Sequence, residues 1–413
     1  MMKPSGESRI TAGTGKAAFR RYDYLPMVLA AGALAFPQVG RVFMGAGLRW
    51  LYILLLSFLI SYALIPLCIR CAFKCEILDR PQARKVHSVA TPLLGGAAVF
   101  AAFIVAILLN GILTVKLGAI LSAAGVLFAL GILDDVREVP AAVKMVVQVV
   151  CAAAVIAFGV VLKVLPDRWG PRAAAGNILL TLVWIVGITN AMNFADGMDG
   201  MAAGLGAIIA FFLGIVAFQT DQPTLGWVAV AMLGGCLGFM PYNFRANGKA
   251  LIFLGDAGST VIGFVLACIA VYGDWSEDSP VVALASPLLI FWVLIFDMVH
   301  ISLDRFFSGK VLGLKQWIDY VGKDHLHHRI AYALGGEKRS VLFIYLMTVC
   351  LGSSAVLLRN ANSFDALILV LQALILVVLI TILERRGRTL AARNCRENGR
   401  PSDWDAPSST QKK

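Results

Sequence analysis

Apolar runs of about 17–25 residues, each closed by a short polar turn, follow one another from residue 49 to residue 383. A run of that length spans the hydrocarbon core of a bilayer when it coils into a helix. Spans are predicted near 49–69, 93–110, 116–133, 145–163, 178–193, 201–219, 225–240, 258–273, 281–302, 340–358 and 365–383. Membrane-crossing strands would read as short alternating segments, and these runs do not alternate. The pattern predicts an all-α, polytopic integral membrane protein with about eleven transmembrane helices.

Outside that body, 49–384, the pattern weakens. Residues 1–25 are polar, with Lys3, Arg9, Lys16, Arg20 and Arg21, and residues 26–48 are moderately apolar but contain Pro37 and Arg41. Two readings of this N-terminal extension, 1–48, stay open: a weak extra span, or a segment ahead of a start at an internal residue such as Met44. No h-region followed by a small-residue cleavage site marks a secretory signal. After Glu384 the chain carries Arg385, Arg386, Arg388, Arg393, Arg396 and Arg400. That composition predicts a disordered basic tail over 385–413, able to lie on anionic lipid headgroups.

Composition then adds orientation. The 413 residues are 59% hydrophobic and 15% charged, with a net charge of +11. One set of loops holds Lys74, Arg80, Arg84, Lys85, Arg137, Lys144, Arg245, Lys249, Arg305 and Lys310, while the other holds fewer, such as Lys116, Arg168, Arg172 and Arg359. The richer set is expected on the cytoplasmic side, together with the C-terminus. The positive charge is therefore mainly an orientation signal. No basic stripe with interleaved aromatics is present, so no nucleic-acid partner is expected. Cys68, Cys71 and Cys75 find no further ligand at zinc spacing and are expected as packing residues.

With that topology, the polar clusters fall on one face. Asp79 to His87 occupies the first cytoplasmic loop, Asp134-Asp135 ends the third span, and Asn190 to Gly200 ends the fifth. Phe253 to Ser259 opens the eighth, and Asp297, Asp304-Arg305 and Asp324-His325-Leu-His327-His328-Arg329 surround the loop after the ninth. Any one cluster alone reads as a solvated helix end or a cap. Carboxylates at a membrane edge are costly, and their joint placement marks one working site. They supply hard oxygen ligands, and Mg²⁺ takes one or two of these plus phosphate oxygens and water. Nearby Lys, Arg and His neutralise phosphate charge. Gly255 and Gly258 allow close backbone approach at a helix start, where free N–H groups suit an anion. Asn190 and Asn193, three apart, share a helix face and suit a base or sugar. The chemistry indicated is phosphoryl transfer between a soluble nucleotide substrate and a lipid.

The order of these motifs resembles the polyprenyl-phosphate N-acetylhexosamine-1-phosphate transferase superfamily. The matching residues are Asp79-x-Pro81 with Arg84-Lys85-x-His87, Pro92-x-x-Gly95-Gly96, Asp134-Asp135, Asn190 to Gly200, Phe253 to Ser259, and His325-x-His-His328. Together they span about 79–329. The first loop and Arg329 after the histidines are more similar to the branch using UDP-GlcNAc for O-antigen, common-antigen or teichoic-acid linkage units than to the peptidoglycan branch. The resemblance implies a bacterial plasma-membrane enzyme with a cytoplasmic-face site. It would transfer N-acetylhexosamine 1-phosphate, GlcNAc first, from a UDP-sugar to undecaprenyl phosphate and release UMP. It also implies Mg²⁺, with Mn²⁺ as an alternative, and a homodimer among membrane lipids.

Residue roles follow from the same resemblance. Asp256 and Asp135 would hold the metal, and Asp134, with Asp135, would position or deprotonate the lipid phosphate. A covalent aspartyl-phosphate is the competing mechanism. Phe253 would stack on uracil, with Asn190, Asn193, Asp196 and Asp199 lining the nucleotide pocket. Lys85, His87, His325, His327 and His328 would contact phosphates or the sugar, and Arg305 the sugar. Glu138 stands where the family's third aspartate is usual, and Met198 and Met201 where Leu or Phe is common. The rival function is a transporter or flippase of a lipid-linked or nucleotide sugar. It would place polar residues at the bilayer midplane on broken helices, whereas mid-span stretches such as Leu51–Tyr62 are featureless. A non-catalytic scaffold would have lost part of the acidic set, and all five aspartates are present.

Overall fold

The computed structural model describes residues 24–80, 90–275, 280–307, 325–358 and 363–397. Two short helices come first, α1 (Tyr24–Leu34) and α2 (Pro37–Gly45), followed by the long α3 (Arg49–Lys74). A two-residue antiparallel ladder follows, β1 (Leu78–Asp79) with β2 (Thr91–Pro92), pairing Leu78 with Pro92. Then come α4 (Gly95–Leu109), α5 (Val115–Val136), α6 (Ala141–Ala157), α7 (Pro171–Ala195), α8 (Met201–Gln219), α9 (Pro223–Asn243) and α10 (Gly255–Tyr272). The rest is α11 (Pro280–Ile290), α12 (Trp292–Phe307), α13 (Leu326–Leu334), α14 (Glu337–Leu358) and α15 (Ser363–Glu397).

Each of the eleven predicted apolar runs is a helix or a helix pair. Among the described residues, seven helices are long and apolar enough to cross a bilayer, or up to nine if each of two bent pairs is one span. α4 and α6 are shorter apolar helices. The chain is thus a multi-pass, all-α membrane protein. The predicted ninth span is broken, with Val282–Ile290 and Trp292–Phe307 meeting at 77°. Pro287, which lacks an N–H and crowds the preceding turn, stands one turn ahead of the break. Residues 26–45 likewise form a pair bent by 68°, with Pro37 opening the second helix.

One expectation is corrected at the C-terminus. α15 runs on to Glu397, so residues 385–397 are helical, not the disordered start of a tail. Leu390, Ala391 and Ala392 among arginines are good helix formers. Gly387 is buried against the Arg329 carbonyl of α13, which a side chain there would strike.

α10 is the hub of the helical body. It is buried along almost its whole length, against α4, α5, α7 and α8. Apolar lipid gives helices little hydrophobic reason to associate, so close backbone approach through small residues does the work. A Cβ at Gly131 of α5 would lie 2.5 Å from the Ala257 backbone nitrogen, and one at Gly96 of α4 would strike Gly258. α3 meets α9 similarly, where Ser57 and Ser61 donate to the Ala231 and Gly235 carbonyls at 2.7 and 2.8 Å. These contacts fix the N-terminus of α10 beside the C-terminal end of α5.

Candidate active site

The start of α10 is where the acidic clusters meet. Gly131 brings α5 against Ala257, so Asp135, one turn further on, reaches the free N–H groups of the α10 N-terminus. Its carboxylate accepts from the Asp256 nitrogen at 2.9 Å and the Ala257 nitrogen at 3.4 Å. Gly255 adopts φ +77, and a Cβ there would lie 2.6 Å from Asp135 Oδ2. Only glycine fits both the left-handed backbone and the space. Asp135 therefore fills the anion seat of this helix terminus.

Asp134 points the other way. Its Oδ1 accepts from the Val139 nitrogen at 2.7 Å, and its Oδ2 from Lys144 Nζ at 2.7 Å. The same ammonium donates to Asp256 Oδ2 at 3.2 Å. Lys144, in the first turn of α6, thus bridges two carboxylates from two other helices. On the far side of Asp256, Asn193 Nδ2 donates to Asp256 Oδ1 at 3.1 Å and to Ser259 Oγ at 3.0 Å. Asn190, predicted to share the Asn193 face, instead donates to Gln148 Oε1 on α6 at 2.6 Å. Glu138 is exposed and does not join the cluster.

Asp196 follows the last turn of α7 and faces the same acids. Burial, then the charges of Asp256, Asp135 and Asp199, push its carboxyl well above the usual carboxylate range. Asp199 serves the backbone, accepting from the Ala250 nitrogen at 2.8 Å. Gly200, at φ +84, donates its N–H to Asn243 Oδ1 at 2.6 Å, while Asn243 Nδ2 donates to the Ile252 carbonyl at 2.9 Å. Tyr345 of α14 donates its hydroxyl to the Gly200 carbonyl. The 244–254 loop is pinned by these bonds. Phe253 is held through its backbone, donating to the Pro92 carbonyl at 2.8 Å and accepting from Gly95 at 3.0 Å, with its ring half-buried.

The histidines arrive on α13. Buried Asp297 of α12 organises this helix start, accepting from the Leu326 nitrogen at 2.8 Å and pairing with His325 Nδ1 at 3.0 Å. The ring of Phe194 lies 5.2 Å from that of His325, and His327 and His328 are 4.3 Å apart. A Cβ at Gly197 would stand 2.7 Å from His327 Nε2, so this buried ring abuts the residue after Asp196. Among the described residues, its Nε2 has no hydrogen-bond partner. Burial, then the neighbouring His328 and His325, hold His327 well below its ordinary value, so it is neutral. Arg305 of α12 is buried, and Arg329 pairs with Asp304 at 3.1 Å. Lys85 and His87 lie outside the described residues.

The arrangement has counterparts in known proteins. The family model for glycosyl transferase family 4 matches residues 117–274, the stretch holding the acidic cluster and the Asn190–Gly200 turn. A probable undecaprenyl-phosphate N-acetylglucosaminyl 1-phosphate transferase of Bacillus subtilis is 32% identical over 333 residues, 79% of this chain and 89% of that protein. The chain belongs to glycosyl transferase family 4. A decaprenyl-phosphate N-acetylglucosaminephosphotransferase of Mycobacterium tuberculosis is 32% identical over 74% of this chain and 82% of its own length. An undecaprenyl-phosphate alpha-N-acetylglucosaminyl 1-phosphate transferase of Escherichia coli K12 is 26% identical over 70% and 79%.

In this family 4 chain, the structure draws together Asp134, Asp135, Asn193, Asp196 and Asp256, with His327 at their edge. Asn190 and Asp199 are spent on structural hydrogen bonds. Lys144 is the site residue the sequence reading does not single out, since it reads there as an orientation charge; the signal is a lysine in the first turn of an apolar helix with Gln148, which braces Asn190, four residues on along the same face. Among the described residues, no group of three or more His, Cys, Asp or Glu forms a ready metal cage. A Mg²⁺ site needs fewer protein ligands than that, because substrate phosphates and water complete the octahedron. The hard oxygens of Asp134 and Asp256 would fit such an ion in the place the Lys144 ammonium now takes, with the lysine turned toward the substrate phosphates.

Proposed function

We propose that this chain transfers N-acetylglucosamine 1-phosphate from UDP-GlcNAc to undecaprenyl phosphate, releasing UMP and starting a lipid-linked glycan. An oxygen of the lipid phosphate attacks the sugar-linked phosphorus, the bond from that phosphorus to the UMP oxygen breaks, and the electron pair leaves with UMP. One pyrophosphate replaces another, so the reaction is readily reversible. The observation carrying the reading is Lys144 between Asp134 and Asp256 at the α10 N-terminus. This is a charge-stabilising centre at the end of membrane helices, in a chain akin to proteins with that activity. The positive-inside pattern supports an inner-membrane enzyme with this centre facing the cytoplasm.

Asp134 orients Lys144 and, through it, the attacking phosphate. A phosphomonoester's second pKa is about 6, so the lipid phosphate is largely dianionic at neutral pH and needs placement more than deprotonation. Lys144 neutralises charge as it gathers on the bridging oxygen. Asn193, itself anchored on Ser259 Oγ, holds Asp256 in its rotamer. Asp256 and Asp134 would hold Mg²⁺, which supplies Lewis-acid neutralisation of the phosphate oxygens. Asp135, the other ligand expected beside Asp256, lies next to this pair, with its oxygens on the backbone N–H groups of the α10 N-terminus. His327, neutral and next to Gly197, is placed to hydrogen-bond a sugar or phosphate oxygen.

The test is purified protein in detergent with undecaprenyl phosphate and UDP-GlcNAc, read by UMP release and lipid-pyrophosphate product. Activity is expected to vanish with chelator and to return with Mg²⁺. Product from a different UDP-HexNAc only would overturn the donor. No turnover by folded protein with any UDP-sugar, on undecaprenyl or decaprenyl phosphate, would overturn the enzyme reading.

A further inference from the structure

At the opposite membrane face from the acidic centre, a cavity of about 160 Å³ opens where α5 and α11 begin and α10 ends, with the 159–164 turn closing one side. It lies roughly 27 Å from Asp256 along an eighteen-residue helix. Two lysines line it, Lys116 and Lys163. Lys116 Nζ sits 4.9 Å over the Tyr272 ring, and neither lysine has a carboxylate within ion-pair distance among the described residues. The remaining wall is apolar and aromatic, with Trp184, buried Trp275 and the exposed Leu284. Among the described residues, Asp274, also exposed, is the acidic one at the rim.

The cavity walls are held in place by side chains with no part in the acidic centre. Buried Thr181 accepts from the Leu162 nitrogen at 2.9 Å, and buried Asn177 from the Val164 and Leu165 nitrogens at 3.1 and 2.9 Å. These bonds fix the turn bearing Lys163. On the other wall, Gln222 binds both backbone groups of Asp274, donating to its carbonyl at 2.5 Å and accepting its N–H at 2.9 Å. The volume is several times the roughly 30 Å³ share of one water, enough for a phosphate group. Two cations without carboxylate partners among the described residues, set beside aromatic rings in a largely apolar wall, match one chemistry, a phosphate on an acyl or prenyl tail.

We propose that this cavity is a binding site for the phosphate headgroup of an anionic membrane lipid, separate from the transfer centre. The test uses the full chain in nanodiscs of phosphatidylcholine, with brominated phosphatidylglycerol or brominated phosphatidylcholine added. Quenching is assigned to the cavity as the difference between the wild type and Trp184→Phe. The phosphatidylglycerol probe is expected to quench selectively. Replacing Lys116 and Lys163 together by Gln is expected to weaken its apparent affinity roughly 30-fold, from about 1 kcal/mol per surface lysine. The charge-matched control Arg168→Gln with Arg172→Gln, on the same face outside the cavity, is expected to retain it. Equal quenching by both lipids, no effect of the lysine substitutions, or an equal loss in the arginine control would each overturn the proposal. Binding of inorganic phosphate in place of the lipid would overturn the lipid as its source.

Discussion

Replacing Lys144 with methionine removes an ammonium while keeping most of the side-chain volume. Its nitrogen lies 2.7 Å from Asp134 and 3.2 Å from Asp256, and its side chain is 32% exposed. Partial exposure limits its value to folding to about 1 kcal/mol, a shift of about 1–2 °C in Tm for a chain this size. Its value to the reaction is larger, because a pre-placed donor facing developing charge is worth about 10²–10³-fold in turnover. In the UMP-release assay kcat and kcat/KM are expected to fall together by that factor, with KM nearly constant, the signature of an interaction made in the transition state. Lys144→Arg, which keeps the charge in a different geometry, should recover part of the loss. Adding Asp134→Asn to Lys144→Met should cost little more, since the two groups act as a unit. Turnover of folded Lys144→Met within about threefold of wild type, against the 10²–10³-fold expected of such a donor, would refute the assignment and return the lysine to a topology role.

Three other outcomes follow from the packing and the electrostatics. Gly131→Leu must push α5 away from Ala257, so Asp135 should lose its seat on α10; activity is expected to fall by at least about tenfold with a clearly lowered Tm, as for over-packed helix contacts. Asp196→Asn removes a half-buried carboxyl repelled by Asp256, Asp135 and Asp199, so the substrate-free protein should melt about 1–3 °C higher while activity drops, a trade measurable by paired thermal-shift and UMP assays. His327 titrates below its ordinary value in the fold. The unfolded chain therefore takes up that proton first, and the associated stability, present above pH about 6.5, is lost as pH falls below it. Melting midpoints taken between pH 7.5 and 5.5 should fall less steeply in His327→Gln than in the wild type.

The helices and the acidic clusters were legible because their signals are local. Uninterrupted apolar runs specify helices in lipid, and a carboxylate at a span end is too expensive to be idle. The division of labour among those acids was not legible, because it depends on which backbone lies opposite. Asp134 and Asp135 are adjacent in sequence, yet Gly131 turns one onto the α10 N–H groups and leaves the other to Lys144. Asp199 and Asn190 read as pocket residues by type and spacing, but the Ala250 nitrogen and the Gln148 side chain claim them. The tail beyond Glu384 read as a charged, unstructured extension because its partner α13, which Gly387 meets at the Arg329 carbonyl, lies far back in the chain.

Charge balance ties these residues to the chemistry. Asp134, Asp135, Asp196 and Asp256 face a common space with Lys144 as the ammonium between them. The α10 N-terminus adds about half a positive charge, and Asp135 already uses it. His327 adds none, since burial keeps it neutral. Asp196 adds little to the negative charge, since burial and the neighbouring acids push its carboxyl well above the usual range, but two phosphate-bearing substrates brought here would repel one another and Asp134 unless further positive charge came with them. A divalent cation entering with the nucleotide and bound through Asp134 and Asp256 would supply that charge only when substrate is present. That argues for ordered loading, with the metal–nucleotide complex ahead of the lipid phosphate. Product-inhibition kinetics with UMP can decide it: UMP competitive against the UDP-sugar and not against the lipid phosphate agrees with that order, and the reverse pattern overturns it.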